Sequence, residues 1–556
     1  MMNTTQILTI GAVIIVAAAA VAVVVVNNGK DSGTSDVDPM DASWEDIVKD
    51  AKGQKITMGF YVADPMVAVW YPKFQKEMKD NYGIEVTAKS YGPAAAKTAV
   101  AEMEEGQMEN GTFDFIWGDT SAYAAMINSK GDYSFVYDDK KDGKSWASVL
   151  PNAYYLKSNS EQMISSMFKD YVPGSAVNFS NGQTMMVYNK DFNVDTVTVN
   201  DVTVKMPYNA AVLYDGSGNV TGFIKVGDSG QGSTEGHIID VASVTSQSAF
   251  DTAFAGADTV SVDAARAEMD VDHGQVKGYM KYAIPTNFND LSKWVQIYPK
   301  QFGYPDPANT AAVFHTNLLT QAMIYELTWA DSSAKTGWKV AENKEANVTA
   351  VNTALANVKS NDDYKAAFGY VFNYLKALDP YVHQWSGAAK YQDTGTIVDY
   401  NAKIVGNQST DKDFSDDTIM LAMSTVTSID SRVGEGKQYS YNAGAFSFDT
   451  GCSSDYYIFI PQNSSHKTAA MVVINALLDP AEQVDWFATT GNGFNIDTSK
   501  NVIGGTETVN DKYFKSVLEN MSIYLPPERL AEVTQVAMLT GYVGYFTPNW
   551  TSEVKA

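Results

Sequence analysis

Aromatic, acidic and hydroxyl side chains follow two predicted strands. The strands at Lys55–Phe60 and Thr112–Trp117 end at, or are followed by, Tyr61, Asp64, Trp117, Asp119 and Thr120. Ligands of parallel α/β sheets bind beyond the carboxyl ends of the strands. An aromatic face beside a carboxylate there would attract an organic cation. The same aromatic rings would also stack on a neutral polar ligand such as a sugar.

The same residues also have a purely structural interpretation. Trp117 could be an interior residue, because tryptophan is highly buried on average. Asp119 or Thr120 could be only the N-cap of the helix predicted from Ser121, since short polar side chains satisfy free backbone N–H groups there. The sequence leaves both interpretations open.

Patterns for catalysis and metal binding are incomplete. Gly227-Asp228-Ser229-Gly230 has the letters of a serine-protease nucleophile loop, but the first histidine, His237, lies downstream, against the chymotrypsin order. The single cysteine, Cys452, excludes an intrachain disulfide and a cysteine cluster. The five histidines lack metal-ligand spacing. We therefore predict no catalytic residues, no metal and no cofactor.

Length and charge further narrow the classes of protein to which the chain could belong. The 556 residues suit two or more lobes. The formal net charge of -25 argues against nucleic acid as a partner, because phosphate binding requires a basic face. The acidity is also what a soluble protein of the cell exterior would show.

Strands alternate with helices along the first part of the chain. Besides the two strands above, we predict a strand at Ile84–Lys89 and helices at Val67–Tyr82, Pro93–Glu105 and Ser121–Asn128. This alternation indicates a parallel sheet covered on both faces. Between Val194 and Ala283 the chain becomes rich in Thr, Val, Gly and Asn. That composition predicts an inserted β-rich region, separable from the rest.

The N-terminal region contains a long apolar run. Ile7–Val26 is uninterrupted over 20 residues and no basic residue precedes it, which favours an uncleaved anchor helix over a cleaved signal peptide. The polar, acidic stretch that follows predicts a flexible tether. Weak support for an exterior location comes from nine Asn-x-Ser/Thr sequons at Asn3, Asn110, Asn178, Asn219, Asn347, Asn407, Asn463, Asn520 and Asn549.

Four stretches are similar to a known family. Ile458–Gln483 carries an Ile-Pro after a strand, a polar turn, a lysine, an Ala-rich helix and an Asn-x-Leu-Leu-Asp-Pro segment. Gly111–Met126, Val149–Tyr154 and Trp294–Pro307 fit the same pattern. Together they resemble the extracellular solute-binding proteins of ABC importers, in the branch allied to thiamine, polyamine and iron(III) binding proteins. One departure is Ser180-Asn181-Gly182, which stands where that branch usually has an aromatic residue and a glycine.

The resemblance implies a two-lobed periplasmic-binding-protein-like α/β fold with hinge crossover strands, an inserted β-rich region and an N-terminal transmembrane anchor helix. The crossovers would be near Met185–Asn189 and Ala422–Ser428. The segments would be an anchor helix (7–26), a tether (27–43), the first part of lobe 1 (44–190), the insertion (191–283), lobe 2 (284–428), a return to lobe 1 (429–495) and C-terminal helices (496–556).

It also implies a function without catalysis. Ligand-binding residues would come from both lobes or the hinge, and the set comprises Tyr61, Asp64, Trp117, Asp119, Thr120, Asn309, Trp385, Ser424 and Cys452. The partners would be a small-molecule ligand, an ABC transporter permease and the membrane, through the N-terminal helix. The chain would stand on the extracellular face of the cell membrane. The alternatives are an exported enzyme and an adhesive surface protein with the insertion as its working part.

Overall fold

The structure is a computed structural model. It describes residues 37–39, 41–62, 65–89, 92–133, 146–157, 174–183, 185–267, 271–272, 275–276, 278–304, 360–383, 420–424, 443–446, 448, 451–520, 534–535 and 541–555. The chain divides into two compact units. The first comprises Met1–Ser180, Tyr456–Thr489 and Phe494–Asn520, and the second comprises Asn181–Asp455, Thr490–Gly493 and Met521–Ala556.

The strands are numbered in chain order. They are β1 (Lys55–Gly59), β2 (Glu85–Lys89), β3 (Phe115–Asp119), β4 (Ala176–Gln183), β5 (Met185–Asn189), β6 (Asn193–Val194), β7 (Thr196–Val199), β8 (Val202–Lys205), β9 (Ala210–Asp215), β10 (Val220–Gly227), β11 (Ile239–Asp240), β12 (Thr259–Ser261), β13 (Val271–Asp272), β14 (Gln275–Val276), β15 (Gly278–Ala283), β16 (Phe302–Gly303), β17 (Leu421–Ser424), β18 (Ala443–Phe446), β19 (Gly451–Phe459), β20 (Gly493–Phe494) and β21 (Thr534–Gln535).

The α-helices are numbered likewise. They are α1 (Trp44–Ala51), α2 (Pro65–Tyr82), α3 (Gly92–Glu104), α4 (Thr120–Asn128), α5 (Gln247–Gly256), α6 (Val262–Ala267), α7 (Phe288–Ile297), α8 (Asn361–Leu378), α9 (Lys467–Leu477), α10 (Pro480–Thr490), α11 (Lys515–Glu519) and α12 (Gly541–Trp550). Short 3₁₀ turns lie at Trp146–Val149, Pro151–Tyr155, Val241–Ser243 and Asp379–Tyr381, and π-helical turns lie at Asn510–Phe514 and Thr551–Lys555.

The first unit is an α/β sheet with the strand order β2-β1-β3-β19-β4-β20. β1 runs parallel to both β2 and β3, as the strand and helix alternation predicted. β19 runs antiparallel to β3, with Ile458 opposite Trp117. The boundaries of the six elements predicted between Lys55 and Asn128 are correct to within three residues. The helices are amphipathic or apolar, and their buried side chains form one core that includes Trp70, Phe74 and Trp486.

The second unit contains two larger sheets. One has the order β11-β10-β9-β15-β6, with β12 pairing with β10, and the other has the order β16-β17-β5-β18. The first of these sheets corresponds to the predicted β-rich insertion, which also contains α5 and α6. A hairpin turn joins β9 to β10, where the backbone N–H of Asp215 donates to the Asn219 carbonyl at 2.9 Å.

The β-rich region shares its core with the rest of the second unit. One face of its sheet packs with α5 in a cluster that includes Val212 and Phe250. The opposite face contributes Met280 and Tyr282 to the cluster that holds Trp294 of α7. Trp294 Nε1 donates to the Ala283 carbonyl at 2.9 Å. Apolar side chains on both sides of the predicted boundary are therefore buried in one cluster. The separability of the β element stays a prediction.

The predicted crossover positions also need correction. Met185–Asn189 and Leu421–Ser424 are paired antiparallel with each other, and both belong to the second unit. The chain instead passes between units within β4, after Ser180, and within β19, before Tyr456, and it passes again on either side of Thr490–Gly493 and after Asn520. The boundaries proposed for the seven sequence segments otherwise stay predictions.

The N-terminal run at 7–26 and its tether at 27–36 lie outside the described residues. Within the part of the chain that the structure describes, no helix combines the length and the apolar character needed to cross a membrane.

Candidate functional site

The carboxyl ends of β1, β2 and β3 meet at one edge of the first unit's sheet. Because the three strands are parallel and neighbouring, their ends lie side by side. Each is followed by a helix that begins at the same edge: α2 at Pro65, α3 at Gly92 and α4 at Thr120. We call this region the carboxyl edge. Free backbone N–H groups of helix N-termini gather there, which is the usual position of a ligand in an α/β sheet.

Trp117 lies within the core beneath this edge. Its side chain is 5% exposed. Phe60 stacks on it with ring centroids 4.5 Å apart, and Tyr456 and Trp486 lie at 4.9 and 5.8 Å. Of the two interpretations of Trp117, the structure supports the interior one, because the ring's contacts are with other aromatic side chains of the unit. Trp117 Nε1 is buried and has no hydrogen-bond partner among the described residues.

Asp119 is the N-cap of α4. Its Oδ1 accepts a hydrogen bond from the Ala122 backbone N–H at 3.0 Å, and the carboxylate is partly exposed. An N-cap carboxylate satisfies an otherwise free donor and complements the positive end of the helix. Asp119 therefore combines a structural role with a negative charge at the carboxyl edge.

Gly92 shows how closely α3 approaches β3. A Cβ at Gly92 would lie 2.3 Å from the Trp117 carbonyl oxygen and 2.7 Å from Gly118 Cα. No side chain fits that space, because both contacts are with backbone atoms. The N-terminus of α3 therefore rests directly on the end of β3.

The structure brings four of the predicted site residues to the carboxyl edge: Tyr61, Trp117, Asp119 and Thr120. Tyr61 is half-buried and packs against the first unit's core. Thr120 is the first residue of α4. Ser424 ends β17 and Cys452 lies in β19, and both belong to the second unit. Asp64, Asn309 and Trp385 lie outside the described residues.

Sequence reasoning missed a buried acid–histidine pair. Asp114 immediately precedes β3 and is 4% exposed. Its Oδ1 accepts from His466 Nδ1 at 2.9 Å and from Ser464 Oγ at 3.0 Å, and its Oδ2 accepts from the Thr57 N–H at 2.8 Å. The hydrogen bond to Asp114 raises the pKa of His466. No local spacing could have indicated this pair, because its members are 352 residues apart.

This pair stabilises the polar turn that precedes α9 and does not form a catalytic triad. Ser464 donates to Asp114, not to the imidazole, so it is not placed as a nucleophile that His466 could deprotonate. Both residues belong to the polar turn that precedes α9. Among the residues that the structure describes, no group of three or more His, Cys, Asp or Glu side chains could hold a metal ion.

The family-like stretches contact each other in the first unit. Asn152 donates from its backbone N–H to Asn475 Oδ1 and from its side chain to the Asn475 carbonyl, both at 2.8 Å. Gln483 is fully buried and donates to the Leu477 carbonyl at 2.8 Å. Trp70 Nε1 donates to Glu482 Oε1 at 2.6 Å. These hydrogen bonds connect the turns and helices of the first unit.

No protein-family model and no curated protein matches the chain. Solved structures do. A binding protein in complex with raffinose has a TM-score of 0.45 and 10% identity, covering 90% of this chain and 98% of that chain. A putative spermidine/putrescine ABC transporter from Listeria monocytogenes has a TM-score of 0.43 and 12% identity, with 90% and 98% covered. An ABC transporter from Clostridium perfringens has a TM-score of 0.43 and 11% identity, with 90% and 99% covered.

The structure is similar to solute-binding proteins of ABC transporters. These are the proteins that the sequence resembles.

Proposed function

We propose that this chain binds a small solute outside the cell and delivers it to the permease of an ABC importer. The observation that carries the proposal is the discontinuous first unit. Its sheet includes a strand that returns after residues 181–455 of the second unit, and the chain passes between units inside β4 and β19. Two units with crossings inside strands support the two-lobed architecture that the sequence resemblance implies, although these crossings are not the two that were predicted. Ligand-driven closure about those strands belongs to the same proposal.

The proposed ligand remains an organic cation, but the contacts assigned to it change. Trp117 has no open face, since it is packed among Phe60, Tyr456 and Trp486. Among the predicted site residues at the carboxyl edge, Tyr61 and Asp119 are partly exposed. A cation over Tyr61 and beside Asp119 would gain cation–π and charge-pairing energy, about 0.5–2 kcal/mol for the former, depending on desolvation.

The proposed location is the outer face of the cell membrane, with Ile7–Val26 as the anchor. The length and composition of that run support it. No arrangement of described side chains favours an exported enzyme, and none favours an adhesive role for the β-rich region over a structural one.

The experiment is a thermal-unfolding screen of the full chain with putrescine, spermidine, thiamine, raffinose, sulfate and a dicarboxylate. A ligand at 100 times its dissociation constant stabilises the native state by about 2.7 kcal/mol, which shifts the transition measurably. We expect a cation to stabilise the protein. If no solute shifts the transition, the binding function is wrong. If only an anion does, the cation assignment is wrong and the binding function stands.

Asp119→Asn then tests the site itself. Asparagine caps helices as well as aspartate does, so α4 keeps its cap while the charge is removed. We expect the variant to unfold like the parent without ligand and to bind the stabilising cation at least tenfold more weakly. The matched control is Asp240→Asn, which removes the charge of another N-cap, that of the 3₁₀ turn Val241–Ser243, and should leave affinity unchanged. Equal affinity in parent and Asp119→Asn would move the site away from the carboxyl edge.

A further inference from the structure

The described sequons differ sharply in whether a modifying enzyme could reach them. Asn178 and Asn463 are 2% and 0% exposed, so their amides are enclosed by the folded chain. Asn549 lies inside α12, and its Nδ2 donates to the Tyr545 carbonyl at 2.7 Å. Asn110, Asn219 and Asn520 are exposed. The sequence treats all of these sites alike, and the structure separates them.

The hydroxyl at the third position separates them again. A sequon is defined by that hydroxyl as much as by its asparagine, because the transferring enzyme must engage both. In the Asn110 sequon, Thr112 Oγ1 donates to Glu102 Oε1 and the Thr112 N–H donates to Glu102 Oε2 at 3.1 Å. The Asn110 side chain is held as well, because its Oδ1 accepts from Ser465 Oγ at 3.1 Å. These bonds are also exposed to solvent, but together they fix the sequon to two other segments of the chain, and an enzyme would have to release all of them. In the Asn520 sequon, the third residue, Ser522, lies outside the described residues.

The Asn219 sequon meets both conditions. Asn219 closes the turn between β9 and β10, and Thr221 follows in the first residues of β10. The register of β10 against β9 shifts between Val220 and Gly222, so Thr221 lies at a bulge and has no partner across the ladder. Its side chain is exposed, and its hydroxyl makes no hydrogen bond to the described part of the chain.

One contact holds the Asn219 amide. Asn219 Nδ2 donates to Asp215 Oδ2 at 2.9 Å, and the Asn219 N–H donates to Asp215 Oδ1 at 2.8 Å. Both bonds are exposed to solvent, where a hydrogen bond exchanges with water at little net cost. Releasing the amide therefore leaves the turn closed by its backbone bonds, from Asp215 N–H to the Asn219 carbonyl and from Gly218 N–H to the Asp215 carbonyl.

We propose that Asn219 carries an N-linked glycan in the mature protein. A lipid-linked oligosaccharide, a polyprenyl phosphate or diphosphate glycoside, would be the donor. The bond between the sugar's anomeric carbon and the lipid phosphate breaks, a bond from that carbon to Asn219 Nδ2 forms, the amide loses one proton, and the lipid phosphate leaves. The inference rests on the proposed exterior location, because sequons are modified in chains that leave the cytoplasm.

The test uses the full chain isolated from the cells that make it. Trypsin should release the peptide Met206–Lys225, which contains Asn219 as its only sequon. We expect that peptide to be heavier by an oligosaccharide and to give sugar fragment ions. The peptides Thr98–Lys130 and Asp170–Lys190, which contain Asn110 and Asn178, should be unmodified.

Two variants of Thr221 test whether the modification depends on the hydroxyl of the sequon. Thr221→Val removes only the hydroxyl and should abolish the mass increase while Asn219 is intact. Thr221→Ser should retain it. Asn178→Gln should leave the mass of the glycan unchanged. A modified peptide in the Thr221→Val protein, or sugar on the peptide that contains Asn178, would overturn the proposal.

A second measurement separates this inference from the location on which it rests. Intact cells are treated with a membrane-impermeant, amine-reactive label before the protein is isolated. A labelled protein with an unmodified Met206–Lys225 peptide refutes glycosylation at Asn219 and leaves the exterior location standing. A protein that is neither labelled nor modified refutes the location, and the glycosylation proposal with it.

Discussion

At the scale of single residues, the tryptophan that the sequence singled out for binding is part of the interior. Trp117→Ala should destabilise the protein by about 3–5 kcal/mol, the usual cost of truncating a buried aromatic ring. Urea unfolding measures this loss. The control is Tyr154→Ala, since Tyr154 is 48% exposed, and its loss should be well under 1 kcal/mol. Equal losses in the two variants would show that Trp117 is not enclosed as described.

The Asp114–His466 pair should make stability depend on pH. The hydrogen bond to Asp114 raises the pKa of His466 in the folded state. His466 therefore binds its proton more tightly in the folded state than in the unfolded chain. The resulting stabilisation is complete below the unfolded pKa of about 6.5 and is lost as the pH rises through the raised folded pKa. The parent should have a higher free energy of unfolding than His466→Gln. We expect this difference to be larger at pH 5.5 than at pH 9. A gap that is constant or grows with pH would contradict this assignment.

At the scale of elements, the contact between α3 and β3 depends on the absence of a side chain. Gly92→Ala should destabilise the first unit by several kcal/mol, because its Cβ would overlap the Trp117 carbonyl oxygen. Gly369, in the interior of α8, is the matched control, since nothing lies within 4 Å of its Cβ position. Gly369→Ala should stabilise the protein by about 0.5–1 kcal/mol through helix propensity. Denaturant unfolding of both variants distinguishes a packing effect from the general effect of replacing glycine.

Removal of residues 191–283 should abolish cooperative unfolding. The deletion exposes the apolar faces of Phe288, Trp294 and Tyr298, which Met280 and Tyr282 now cover, because all five belong to one cluster. Calorimetry of the deleted chain, closed by a short Gly/Ser link, measures this. A single sharp transition close to that of the parent would support the sequence-based prediction that the β-rich region is separable.

The elements that the sequence predicted correctly are those whose evidence is local. Apolar spacing and flanking Gly or Pro residues place β1, β2 and the helices α2 to α4 to within a few residues. Contacts between residues that are far apart in the chain could not be predicted from the sequence. Trp117 is enclosed by Tyr456 and Trp486, which are far away in the chain, and periodicity cannot tell a buried ring at a strand end from one that faces a ligand. For the same reason the cluster that the β-rich region shares with α7 could not be predicted, since composition says nothing about which side chains cover a sheet.

At the scale of the whole molecule, the N-terminal run at Ile7–Val26 should keep the protein in the membrane. Twenty apolar residues span a bilayer core as a helix, so the mature chain should stay with membranes that are washed in alkaline carbonate. Immunoblotting of pellet and supernatant decides this. A chain that begins at residue 37 provides the comparison and should be recovered in the supernatant. Release of the full chain would show that the run is cleaved or does not span the bilayer.

The discontinuity of the first unit also sets an order of events during synthesis. β3 ends at Asp119, and its antiparallel neighbour begins at Tyr456 in the register of the sheet. At ribosomal speeds of about 5–20 residues per second, roughly 20–70 s pass between the two. During that interval one side of β3 is an open apolar edge, which is prone to pair with other chains. A nascent chain of this kind needs a chaperone or prompt export. The sheet of the first unit cannot be completed before β19 has been synthesised.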